Sequence, residues 1–121
     1  MEYSLRLSKL GASAVHHCMV NTKYSGRTEM RHNSHIVRAV KTDCANVSGE
    51  DQFTFKDGAL ALDEKDFKYL KQSAEKLVDA GQLGGYSEAY TDLWDAIEDA
   101  EKRHDVDSAV KAAEKAAANG N

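Results

Sequence analysis

The chain predicts an α+β fold: a short, mostly antiparallel sheet from the N-terminal half, packed against two to three C-terminal helices. Apolar residues alternate with polar ones at several points before residue 62, the period of a half-buried strand. From residue 63 the period becomes helical and holds through two segments joined across the glycine-rich stretch 81–85. Strand signals followed by helix signals favour segregated layers over a βαβ alternation.

At 121 residues the chain suits one domain with its own core and is too short for two. We therefore read 1–121 as a single domain, with a strand-rich half (1–62), a helical pair (63–104) and a weaker third helix (105–118). Tyr3, Leu5 and Leu7 alternate with Ser4, Arg6 and Ser8, and predict a strand that Gly11 ends. The run 14–20 contains Val15, Met19 and Val20 and leans towards a second strand. Residues 21–34 are polar, contain Gly26 and predict a long loop. The β-type run 35–41 (His-Ile-Val-Arg-Ala-Val-Lys) predicts another strand, and 46–51 a turn. Phe53 and Phe55, then Lys56-Asp57-Gly58, then Leu60 and Leu62 predict a hairpin, because Asp-Gly favours a tight turn.

The helical half starts at Asp63, a residue type that accepts from first-turn amides, with Glu64 and Asp66 suited to the helix dipole. Phe67, Leu70, Ala74, Leu77 and Val78 then share one face, and Gly81 sits where a left-handed cap belongs. The next helix begins at Ser87 and aligns Tyr90, Leu93, Trp94, Ile97, Ala100 and His104, with the Trp94 indole expected to be largely buried. Two such helices with a short connection pack antiparallel. The tail is alanine-rich, with Asp105 or Asp107 as a cap, Asn119-Gly120 as a stop and a thin stripe of Val106, Ala109, Val110, Ala113 and Ala117. A stripe that thin suits contact with a second chain, so a homo-oligomer through the helices is one expectation.

Composition narrows the function classes. No run of about 18 apolar residues is present, so no membrane span is expected, and the first residues lack the basic and apolar regions of a signal peptide. Two unpaired-motif cysteines, Cys18 and Cys44, suit a reduced cytoplasmic protein. The net charge of −4 conceals a split. Residues 1–50 hold seven Lys or Arg against four acids, and residues 51–121 hold nine against sixteen. The front is basic and the back acidic.

No catalytic constellation is legible. His16, His17, Cys18, His32, His35 and Cys44 include zinc-type ligands, but their spacing matches no compact zinc module. In strands, His16 and His17 would face oppositely, as would His32 and His35. No nucleophile elbow, phosphate-cradling glycine loop or His-Glu-x-x-His motif occurs. The chain is therefore read as a non-enzyme with no metal and no cofactor.

Two charged segments are candidate binding surfaces. Glu88, Asp92, Asp95 and Asp99 fall within about a 60° arc of the helical wheel, opposite the core face. Their mutual repulsion is a small local cost, and a contact with the basic surface of another protein would exploit it. Tyr69, on the polar side of the preceding helix, is expected to be exposed and to join this surface. The alternative is recognition of a small phosphate-bearing ligand, nucleotide or nucleic acid by Arg27, Arg31 and Arg38, with Tyr24 able to stack on a base. Against it stands the expectation that these arginines pair with acids of the same molecule. The resulting profile is that of a small acidic interaction, regulatory or inhibitor protein, a profile shared by phage-encoded inhibitors of host machinery.

Overall fold

The computed structural model describes residues 2–47 and 53–119. The order is β1 (Glu2–Leu7), α1 (Lys9–Asn21), α2 (Gly26–Asp43), β2 (Ala45–Val47), β3 (Phe53–Phe55), β4 (Gly58–Asp63), α3 (Glu64–Asp79) and α4 (Ser87–Asn119). The fold is α+β. The antiparallel pair β1–β4 runs from Glu2 opposite Asp63 to Leu7 opposite Gly58, and β2–β3 forms a second antiparallel pair. Among the described residues no helix is long and apolar enough to cross a membrane.

The alternation in β1 holds: Leu5 and Leu7 are buried beside Leu60 and Leu62 of β4. Tyr3, half-buried, lies between Phe67 of α3 and His104 of α4, with ring centroids 4.0 and 4.1 Å away and nearly parallel planes. Strand and helices are thus joined by a three-ring stack.

The run 14–20 is helix, not strand. Ser8 caps α1, its Oγ accepting from the Gly11 amide at 3.1 Å, and the Asp57 carboxylate accepts from the Lys9 amide at 2.7 Å. Gly11, Ala12, Ala14, Val15, Cys18 and Met19 are buried at helical spacing. α1 packs against α2, α3 and α4, so small residues suit its crowded position.

Asn21 ends α1 and 22–25 form a link, while the rest of the expected loop 21–34 and the expected strand 35–41 belong to α2. Ile36 and Val40, one helical turn apart, are buried with Asn33, and burial overrides the β-type composition. The Phe53–Leu62 hairpin is also overturned. β3 pairs with β2, β4 pairs with β1, and Asp57 is engaged by α1. Most of the turn expected at 46–51 lies outside the described residues.

Both helices of the pair form, but they do not pack antiparallel on one another: α3 and α4 meet chiefly through β1 and α1, with Tyr3 between them. Asp63 Oδ1 accepts from the Asp66 amide at 2.7 Å, and α3 ends with Gly81 at φ +67°. There the Gly81 amide donates to the Val78 carbonyl and the Gln82 amide to that of Leu77, a Schellman ending. Phe67, Leu70, Ala74 and Leu77 are buried, whereas Val78 is exposed. On α4, Tyr90, Leu93, Ile97 and Ala100 are buried, but Trp94 only partly. Lys71 Nζ donates to Glu101 Oε2 at 2.9 Å between α3 and α4.

The weaker third helix is no separate element, because α4 runs unbroken for 33 residues, about 50 Å at 1.5 Å per residue. No glycine or proline interrupts 87–119, and Asp105 and Asp107 occupy ordinary helical positions. Beyond His104 the helix leaves the core, with Val106 and Val110 exposed.

Candidate functional site

Because 26–43 is a helix, Arg27, Arg31 and Arg38 acquire a geometry that a loop would not give them. At 100° per residue they fall within about a 40° arc, and 1.5 Å per residue spreads them over about 16 Å of axis. All three are exposed, as are Ser34 and Lys41 on the same side. Among the described residues none of the three guanidinium groups has an ion-pair or hydrogen-bond partner, contrary to the expectation that acids of the same molecule engage them. Tyr24, exposed, stands in the link just before the helix. Beside the row runs a groove of ≈ 730 Å³ lined by Ser34, Val37, Arg38, Lys41 and Thr42. Reading Arg27, Arg31, Arg38 and Lys41 on a helical wheel would have found this row, since their separations of 4, 7 and 3 keep one face.

The acidic stripe divides. Glu88 and Asp95 are exposed, and neither has an ion-pair or hydrogen-bond partner among the described residues. Asp92 is half-buried and accepts from Ser8 Oγ at 2.8 Å, steadying the hydroxyl that caps α1. Asp99 is paired with Arg103 at 2.9 Å, and Arg103 also donates to the Ser4 carbonyl. Arg6 shares a cleft of ≈ 300 Å³ with Asp92, Asp95 and Asp99. The stripe therefore borders β1 and the start of α1. Asp95→Lys is expected to change stability by no more than about 0.5 kcal/mol. Asp92→Lys should cost about 1 kcal/mol through the disturbed cap. Urea unfolding of the two variants checks the difference.

Tyr69 is corrected. It is 8% exposed and packs where α2 runs along α3, its hydroxyl accepting from Asn33 Nδ2 at 3.2 Å. Asn33 also donates to the Met19 carbonyl at 2.9 Å. Burial pushes the Tyr69 phenol up. A two-helix wheel leaves this side of α3 open, whereas in the fold α2 and α1 pack against α3 there.

The histidines and cysteines do not meet in one place. His17 Nδ1 lies 2.9 Å from the Tyr90 hydroxyl and its ring stacks on Tyr86, while His16 faces Phe55. Cys18 and Cys44 are buried free thiols, and burial pushes Cys18 up to about 11, the range of an unreactive thiol. His32 and His35, on a helix, share a side rather than opposing one another. His32 Nδ1 is 2.5 Å from Asp66 Oδ1 and His35 Nδ1 is 3.6 Å from Oδ2. Sequence reading assigned Asp66 only to the helix dipole and missed this cluster. Among the described residues no group of three or more His, Cys, Asp or Glu is disposed to hold a metal ion.

The fold and its surfaces thus define a small α+β protein with an arginine row, unpaired among the described residues, and a separate acidic stripe. Comparison with protein-family models, with curated proteins and with solved structures found no match.

Proposed function

We propose that this is a non-catalytic macromolecule-binding protein that engages the phosphate backbone of a nucleic acid through the outer face of α2. The observation that carries the reading is the row Arg27, Arg31 and Arg38, exposed and unpaired among the described residues. Guanidinium forks suit phosphate oxygens, and a row about 16 Å long exceeds what one phosphate can occupy. Tyr24 offers a stacking surface to an unpaired base. The buried free cysteines fit a reducing compartment such as the cytoplasm.

The test is fluorescence anisotropy with a labelled single-stranded oligonucleotide across a salt series. Arg27→Glu together with Arg31→Glu is expected to weaken binding by at least about tenfold and to flatten the salt dependence. Unchanged affinity in a folded double variant would overturn the reading. A second reading, a regulatory or inhibitor-type contact with the basic surface of another protein, is favoured by the exposed and unpartnered Glu88 and Asp95. Its signature is a partner lost with Asp95→Lys and retained by the arginine variant.

A further inference from the structure

Between α2 and α3 lies a cleft of ≈ 330 Å³ onto which His32, Lys65 and Lys68 all open. Its construction starts from Asp66, a carboxylate whose side chain is only 9% exposed. A buried carboxylate requires compensation, and here both histidines of α2 turn Nδ1 towards it. The 2.5 Å contact makes Nδ1 of His32 the donor and fixes the ring, leaving Nε2 as the nitrogen that Asp66 does not engage. The second nitrogen of a carboxylate-anchored imidazole is well suited to hold a ligand.

The surroundings indicate the ligand's charge. Lys65 and Lys68 are exposed and have no ion-pair partner among the described residues. Thr28 and Gln72 add neutral donors. The opposing charge on the cleft is Glu29, whose Oε2 already accepts from the Ser25 amide at 3.2 Å. Lys65 and Lys68 balance the charges of Glu29 and Asp66. An incoming dianion then brings two excess negative charges, one of which a proton taken up at His32 offsets. Asp63, the cap of α3, accepts from the backbone of Asp66, and the buried Tyr69 hydroxyl is held by Asn33. Neither adds a cation.

We propose that this cleft binds a terminal phosphate group, held by Lys65, Lys68 and the Nε2–H of His32, with Asp66 as the positioning carboxylate. The site is independent of the arginine row. Its ligand is a phosphomonoester or free phosphate, and its occupation takes up a proton.

The test is a titration with inorganic phosphate, following the His32 imidazole nitrogens by NMR and proton uptake by calorimetry in buffers of different ionisation enthalpy. A saturable shift of Nε2 with net proton uptake is expected, weakened about tenfold, one decade or about 1.4 kcal/mol, in Lys68→Glu. His32→Gln should abolish the proton uptake. Lys68 is a surface residue, so that variant keeps its fold and the outcome stays readable. Anisotropy with 5′-phosphorylated and 5′-hydroxyl oligonucleotides separates the sources: a preference for the phosphorylated end supports a nucleic-acid terminus, and a response to inorganic phosphate alone supports a small free ligand. Arg27→Glu should leave the phosphate response intact, which separates this site from the α2 reading. No saturable change at His32, or equal binding by Lys68→Glu, would overturn the proposal.

Discussion

Tyr90→Ala is expected to cost about 3–5 kcal/mol, the range for truncating a buried aromatic side chain. Tyr90 is 1% exposed, in the layer where α1 meets α4. Its ring stands edge-on to His17 at 5.7 Å, and its hydroxyl is 2.9 Å from His17 Nδ1. Burial pushes the phenol up and the imidazole of His17 down, so both are neutral at physiological pH and share one hydrogen bond. Tyr90→Phe keeps the ring and loses that bond, for about 1 kcal/mol. Trp94→Ala should cost less than Tyr90→Ala, because the indole is only partly buried. Urea unfolding of the three variants gives the ranking. A Tyr90→Ala protein as stable as the parent would contradict the α1–α4 packing described above.

Gly58→Ala should destabilise the protein by about 1–3 kcal/mol, the usual cost of forcing extra volume into a packed site. A Cβ at this position would stand 2.4 Å from the Asp43 carbonyl oxygen and 3.1 Å from Cys44 Sγ. The first obstacle is backbone at the end of α2, and it cannot rotate away as a side-chain tip would. Nearby, the Lys56 amide donates to the Cys44 carbonyl at 2.9 Å and Asp57 holds the Lys9 amide. A shift at residue 58 would therefore strain both links. Thermal melts of Gly58→Ala against Ala59→Gly, on the exposed neighbour, decide whether the close approach is the cause.

The same glycine shows where the sequence was legible and where it was not. Asp57-Gly58 carries the composition of a tight hairpin, yet here the aspartate caps a helix and the glycine admits a carbonyl oxygen. Both uses depend on partners more than ten residues away, which local turn chemistry does not register. Leu5, Leu7, Leu60 and Leu62 were legible because period two needs only one buried face. α3 was legible because its cap, apolar face and terminating glycine all agree. α2 was not, since Gly26 punctuates like a loop and Ile36, Val37 and Val40 read as β-type residues. That single misreading accounts for the two largest differences in the candidate surfaces: the arginines gained a common face, and Tyr69 lost its exposure. His32 and His35 converge on Asp66 only because α2 is helical and lies along α3.

The position of α1 has an electrical consequence. It packs against α2 on one hand and α4 on the other, holding an arginine-bearing helix apart from an acidic one. Opposite charges on separated helices give the protein a permanent dipole moment although its net charge is only −4. In the field of a polyanion such a molecule feels a torque before it feels contact, and turns its arginines forward despite its own negative sign. The torque fades once the Debye length, about 8 Å at physiological ionic strength, is shorter than the separation. Orientation then operates only in the last approach, where it raises the fraction of encounters that arrive face-on.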